Sequence, residues 1–341
     1  MTESAATIHD VAKLAGVSIA TVSRVINASG NVNPDTQARV QQAMSSLNYT
    51  RNMTARNLKT RNTKSIGVLI PEILNTFFLD IVRRVEGLMY KRGYSIVLCS
   101  SNDDLEQENQ KLRLLLEKNV DALVVIPFSG ITEHFTAAKR AGVPIIAVDR
   151  PLGGVEADTV MVNNYLGAKL ATARLIAEGF TQIGFIGGTI HVQTATERYM
   201  GYLDAFKDAG LPVDTNFVLF GGMTLDAGRT FMREALSRPD HPKAFFCVND
   251  MVHIGATSYL FSETSESESN SIVFASFDYM YYGSLLKNCH YAAVQPSQAM
   301  GEAIVEILMR RISGDMANFP EKIILDPEIK TLTQNGGVLP L

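Results

Sequence analysis

Between Ser65 and about residue 277 short apolar runs alternate with longer amphipathic segments. The runs are SIGVLIP, YSIVLC, DALVVIP, VPIIAV, QIGFIGG, FVLF, KAFFCV and IVFASF. Four to seven residues that are apolar at nearly every position, rather than at alternate ones, belong to strands covered on both faces. Helices must then lie on either side of the sheet. The spacing predicts those helices over 77–92, 104–118, 132–141, 164–178, 196–209, 225–237 and 251–261. Strands joined by helices form parallel sheets with right-handed crossovers. A second series starts near Asn164, so the pattern predicts two such sheets, two lobes and a ligand cleft between them.

The first 64 residues follow another pattern and carry another charge. The whole chain of 341 residues has a formal net charge of −4, which taken alone argues against a polyanionic partner. Up to Lys64, however, eight Lys/Arg stand against Glu3, Asp10 and Asp35, a balance of +5 that leaves −9 for the remainder. A small basic head on a large acidic body fits a protein of which only one part meets a nucleic acid. The longest apolar stretches fall far short of the ~20 residues of a membrane span, and no basic-then-apolar signal segment opens the chain. Cys99, Cys247 and Cys289 are odd in number and widely spaced. They fit buried thiols in a reducing cytoplasm better than a disulfide or zinc framework.

Residues 7–48 read as three short helices. Thr7 caps the first with Asp10 in a box-like spacing, and Ile8, Val11, Ala12 and Leu14 supply its apolar face. Gly16 breaks that helix, and Ser18 caps a second that runs to about Asn27. Asn33-Pro34 opens the third, which carries Val40, Ala43, Met44 and Leu47 at helical spacing. Helix, tight turn, helix and bracing helix is the helix-turn-helix layout. A small bundle that binds nothing has the same pattern. The positive charge, with Ser18, Thr21, Ser23 and Asn27 grouped on helix 2, favours a DNA-binding surface.

TIHDVAKLAGVSIATVSRVIN followed by NVNPDTQARVQQAMSSLNY resembles the DNA-binding head of the lactose/galactose repressor family. The resemblance implies that Ile19, Ala20 and Arg24, early in helix 2, enter the major groove. Arg24 can offer a bidentate fork to guanine, while Ile19 and Ala20 make apolar contact. Thr7, Ser18, Thr21, Asn27 and Tyr49 match positions that hold backbone phosphates. Residues 51–60 read as a linker but resemble the family's hinge helix. By that resemblance Leu58 is a minor-groove wedge with Ala55 beside it, and Arg56 and Lys59 sit near phosphates. One wedge gains little, so the mechanism implies a homodimer on a two-fold operator in double-stranded DNA.

The body resembles the sugar-binding core that this family shares with periplasmic ribose/galactose-type binding proteins. It implies an α/β fold with three parts. Residues 1–50 form the all-α head, 51–63 the hinge, and 64–341 two doubly wound parallel lobes. Lobe 1 takes about 64–162 and 296–324, lobe 2 about 163–294 and 325–341, with crossings near Asn163, Gln295 and Asp326. The ligand positions implied are Asn75, Phe77, Phe78, Asp149, Arg150, Arg198, Asn249, Asp278 and Gln295, all where strands end. Phe77 and Phe78 serve equally as aromatic platforms or as core. Asp149-Arg150 can meet adjacent hydroxyls or form a structural ion pair. Planar polar groups with aromatic faces suit a polyhydroxylated, sugar-like effector.

A purine, or a phosphorylated carrier protein acting as corepressor, remains an alternative. A periplasmic receptor fits neither the basic head nor the absence of a signal segment. An enzyme is also disfavoured. GxxxxGK[ST] and GxSxG motifs are absent, the six histidines lack metal-ligand spacing, and no cofactor is implied. Three departures from the family stand out. Residues 262–270, SETSESESN, read as a mobile solvated loop. Asn163 stands where Asp is common. The tail TLTQNGGVLPL lacks a leucine-heptad extension, which favours a dimer over a tetramer.

Overall fold

The structure is a computed structural model, and it describes residues 6–27, 29–49, 63–279 and 288–332. The chain divides into two compact units, Met1–Thr63 and Lys64–Leu341. The hinge positions Ala55, Arg56, Leu58 and Lys59, the tail from 333 and the Asn27 side chain lie outside the described residues.

The head holds α1 (Ile8–Ala15), α2 (Ile19–Asn27) and α3 (Pro34–Ser46). Thr7 and Asp10 close a full capping box on α1, and Gly16 ends it at φ +65°, a left-handed conformation that glycine adopts without strain. Ser18 Oγ accepts from Thr21 N at 3.1 Å, and Asn33 Oδ1 accepts from Asp35 N at 2.9 Å. Val11, Ala12, Ala15, Val22, Val40 and Ala43 form the core, with Tyr49 packed against it. Leu14 differs from its expected place: it is 56% exposed. At about 100° per residue it falls roughly 60° outside the arc of Val11, Ala15 and Ala12.

The body holds two six-stranded sheets. In chain order lobe 1 builds β1 (Ser65–Ile70), α4 (Thr76–Tyr90), β2 (Ser95–Ser100), α5 (Leu105–Glu117), β3 (Ala122–Val125), α6 (Thr136–Arg140), β4 (Ile145–Val148) and β5 (Asp158–Val162). Lobe 2 follows with α7 (Asn164–Ala177), β6 (Ile183–Ile186), α8 (Gln193–Asp208), β7 (Val218–Leu219), α9 (Leu225–Leu236), β8 (Ala244–Cys247), α10 (Asp250–Glu263), α11 (Glu266–Ser271), β9 (Val273–Phe277) and β10 (Cys289–Val294). The chain then returns to lobe 1 for α12 (Ser297–Ile312) and β11 (Lys322–Leu325), and ends its described part in lobe 2 with β12 (Glu328–Thr331).

The strand orders are β11-β5-β4-β3-β1-β2 and β12-β10-β9-β8-β6-β7. All neighbours are parallel except β12, which runs antiparallel to β10. Alternate residues point to opposite faces. Leu69, Leu123, Val125 and Ala147 meet Leu112 and Leu115 of α5, while Val68, Val124 and Ile146 join the cluster containing Ile81, Val85 and Met300. Among the described residues no helix is long and apolar enough to cross a membrane.

Residues 262–270 are a correction to the expected mobile loop. Helix α10 runs on to Glu263, and Ser265 Oγ then caps α11 by accepting from Glu268 N at 3.2 Å. Two early glutamates favour a helix N-terminus. Ser269 is buried, and its carbonyl accepts from Asn288 Nδ2 at 2.6 Å.

Candidate functional site

On the head, α2 presents Ile19, Ala20 and Arg24 to solvent, while Val22 lies in the core. The buried valine fixes which face turns outward. Thr7, Ser18 and Thr21 are partly engaged in caps: Thr7 with Asp10, and Ser18 Oγ with Thr21 Oγ1 at 2.9 Å. Ser23 is half-buried on the same helix. The structure therefore gathers a guanidinium, two apolar side chains and several hydroxyls along the start of α2.

In the body, the C-terminal ends of β4 and β9 carry Asp149 and Asp278, both left-handed at φ +70° and +68°. Aspartate tolerates that backbone better than most residues. Arg150 Nε and Nη2 donate to Asp149 Oδ2 at 3.1 and 3.0 Å, and its Nη1 donates to the Phe128 carbonyl at 3.1 Å. Asp278 Oδ1 accepts from Gln295 Nε2 at 2.7 Å. Burial pushes the Asp278 carboxyl up to about 7, with Arg198 opposing and Asp250 adding to the rise.

Arg198 is buried on α8. Its Nε donates to Asn164 Oδ1 at 2.9 Å, its Nη1 donates to the Val248 carbonyl at 2.7 Å, and the guanidinium carbon lies 3.6 Å from the Phe277 ring centroid. Burial lowers its pKa, while the charges of Asp278 and Asp149 raise it. Acids of both lobes thus act on Arg198 through their charge.

Asn75 and Asn249 cap α4 and α10. Asn75 Oδ1 accepts from Phe77 N and Phe78 N at 3.1 and 3.3 Å, and Asn249 Oδ1 accepts from Val252 N at 2.9 Å. Asn249 Nδ2 also donates to the Met223 carbonyl. Phe77 and Phe78 lie in the apolar core, with ring centroids 5.8 Å apart. The structure thus brings together Asp149, Arg150, Arg198, Asp278 and Gln295, while the two asparagines spend their side-chain oxygens on helix caps.

Sequence reasoning passed over five neighbours of these groups. Thr76 Oγ1 donates to Asp250 Oδ2 at 2.7 Å, a bond between the lobes. Asn164 and Phe277 hold Arg198, and the Phe128 carbonyl holds Arg150. Asp103 lies close enough to Arg150 to feel its charge, although burial and Glu72 push its carboxyl upward. Only adjacency was a signal: Thr76 follows Asn75, and Phe277 precedes Asp278. Asp250 Oδ1 and Gln295 Oε1 are buried acceptors with no hydrogen bond among the described residues.

Residues 7–52 match bacterial regulatory proteins of the lacI family, and residues 63–322 match periplasmic binding proteins and the sugar binding domain of the LacI family. The HTH-type transcriptional repressor PurR of Aliivibrio salmonicida (strain LFI1238) is 34% identical over 313 residues, 90% of this chain and 92% of that protein. The ribose operon repressor of Escherichia coli (strain K12) is 34% identical over 315 residues, 90% and 93% of the two chains. A Lac repressor dimer bound to operator and the anti-inducer ONPF has the same fold, with a TM-score of 0.81 at 22% identity, covering 97% of this chain and 99% of that one. The transcriptional regulator CelR–cellobiose complex gives 0.69 at 28% identity, over 97% and 100%.

A helix-turn-helix head joined to a two-lobed body with converging polar groups defines a DNA-binding regulator with an effector-binding domain. The chain belongs to the LacI family of transcriptional repressors.

Proposed function

We propose that this protein is a cytoplasmic homodimer that represses carbohydrate-metabolism genes from a palindromic operator. A sugar or sugar derivative held between the lobes switches it. The observation that carries this reading is the set of hydrogen-bonding groups around Arg198. Asp149, Arg150, Asp278 and Gln295 offer fixed donors and acceptors, and Asp250 Oδ1 and Gln295 Oε1 are buried acceptors without hydrogen-bond donors among the described residues. A ligand rich in hydroxyls supplies donors of that kind, and one lacking them leaves the acceptors unpaired at a cost of about 1–3 kcal/mol each. The ribose repressor and the cellobiose complex among its relatives support the same class.

On DNA, Arg24, Ile19 and Ala20 read base edges while Thr7, Ser18, Thr21, Ser23, Asn27 and Tyr49 fix register. Leu58, with Ala55 beside it, acts at the minor groove, and Arg56 and Lys59 sit near phosphates. Effector binding changes the lobe arrangement and with it the operator affinity of the paired heads. The PurR relatives favour a second reading, a purine corepressor.

A thermal-shift panel of pentoses, hexoses, disaccharides, sugar acids and purines separates the two, since a ligand at 100 times its Kd adds ~2.7 kcal/mol. A shift from sugars that also lowers operator affinity supports the first reading, and a shift from purines alone overturns it. Operator affinity should fall with a log–log salt slope of about −0.9 per phosphate neutralised. Leu58→Ala should weaken operator binding and leave the thermal shift intact; an unchanged affinity removes the wedge.

A further inference from the structure

Glu108 is a carboxylate with no measurable exposure, buried in helix α5 of lobe 1, whose outer turns are charged. A buried carboxylate is costly unless its acceptors are used. Its Oε2 accepts from Phe128 N at 2.6 Å. Its Oε1 lies 2.9 Å from His134 Nε2, at ion-pair distance but without hydrogen-bond geometry. Phe128 stands in the loop after β3, and the other end of this contact matters more. The carbonyl of the same residue accepts from Arg150 Nη1 at 3.1 Å, and Arg150 grips Asp149 with its remaining edge. Thr132 Oγ1, further along that loop, donates to the Gly153 carbonyl at 2.5 Å and ties it to the segment after β4.

We propose that Glu108 is a positioning residue for the Arg150 guanidinium, acting through the backbone of Phe128. A main-chain N–H held by a carboxylate is a charge-assisted bond, about twice as strong as a neutral one. It sets the orientation of Phe128 and with it the direction of the carbonyl that receives Arg150. A loop residue thereby gains the fixity of a helix, and a guanidinium with three donors engaged is preorganised for a ligand rather than free to sample rotamers. His134, packed on Phe135 with ring centroids 4.2 Å apart, closes the other side of the carboxylate. Its significance for effector capture rests on the cleft being the effector site.

Arginine-directed labelling with phenylglyoxal, followed peptide by peptide by mass spectrometry on the full chain, tests the role without any ligand. Glu108→Leu removes the acceptor and should raise the Arg150 modification rate about fivefold, the factor that one hydrogen bond of ordinary net strength supplies. Glu108→Gln keeps an oxygen for Phe128 N without the charge and should lie between the parent and Glu108→Leu. Glu108→Asp keeps the charge but withdraws it by about 1.5 Å, one carbon–carbon bond, and should lie near Glu108→Leu. This pair decides the matter if Glu108→Leu does not fold. Arg198, in the other lobe, is the internal control. Equal rates at Arg150 in the Asp variant and the parent, or a parallel rise at Arg198, would overturn the proposal in favour of a structural role alone. A panel without any binding sugar would refute the effector reading and leave this labelling result untouched.

Discussion

The two lobes share one strand order, and each ends its third inner strand on an aspartate in left-handed backbone: Asp149 after β4, Asp278 after β9. Their charges are met differently. Asp149 receives two N–H groups of Arg150, its neighbour in the chain and in the lobe. The Asp278 carboxyl receives one hydrogen bond, from the uncharged Gln295, and has no ion pair within 4.0 Å among the described residues. Arg198, the cation it faces, is committed to Asn164, Val248 and Phe277. Lobe 1 therefore offers a self-neutralised, preorganised edge, and lobe 2 offers a carboxyl whose charge awaits a partner. A group that donates to Asp278 would therefore change the charge balance of lobe 2 more than that of lobe 1.

The largest effect expected is that of Arg198→Ala. It removes the cation common to both acids, strips the Phe277 face and leaves the Asn164 oxygen and the Val248 carbonyl without their donor. Two orphaned buried acceptors cost about 1–3 kcal/mol each, so urea unfolding should show a loss of about 3 kcal/mol or more, together with loss of the effector response. A loss below about 1 kcal/mol means that water reaches both acceptors and that Arg198 does not organise the cleft.

Exchanging each acid for its amide probes the contrast itself. Asp149→Asn withdraws the charge that Arg150 grips and should destabilise the body by about 1–3 kcal/mol. Asp278→Asn keeps an oxygen for Gln295 and removes a charge that burial disfavours. The folded pKa near 7 lies above the ordinary 3.8. The protonated group thus contributes stability that is complete below about 3.8, falls as pH rises and is lost above about 7. The substituted protein should lack this slope and gain on its parent between pH 5 and pH 8. Unfolding curves at the two pH values decide it: a variant that loses more ground at pH 8 than at pH 5 contradicts the account of Asp278.

What could be read from the chain follows the same division. Strands such as β1, β3, β4 and β8 are apolar throughout because both faces are covered, and they stand out in the sequence. Strands β11 and β12, KIIL and EIKT, lie at sheet edges, β11 with alternate residues exposed and β12 with its two end residues exposed, so the continuous apolar signal is missing. β5 begins with Asp158, which reads as a loop residue. Its burial depends on Arg311, whose Nε and Nη2 each donate at 2.8 Å from 153 residues away. The site residues were visible as polar groups at strand ends, but not which way their atoms are spent. Asn75 and Asn249 look the same in sequence whether they cap a helix or meet a ligand. The Thr76–Asp250 bond joins positions 174 residues apart, and no local pattern encodes it.

The smallest effect concerns the crossings that join the lobes. Asn163 Oδ1 caps α7 by accepting from Leu166 N at 3.1 Å, while its Nδ2 donates to Asp326 Oδ1 at 2.9 Å and ties the first crossing to the third. At the second crossing Pro296 precedes α12 without a side-chain cap. Aspartate caps a helix as well as asparagine does, so Asn163→Asp keeps the cap and replaces the tie with two facing carboxylates. At an exposed pair this should cost about 0.5–1 kcal/mol, an amount that shrinks in high salt because exposed charges are screened. Adding Asp326→Asn returns one donor and one acceptor to the pair and should restore the original stability. If the double variant is as unstable as N163D alone, the crossings are held by the cap and not by each other, and the asparagine at 163 has no part in coupling the lobes.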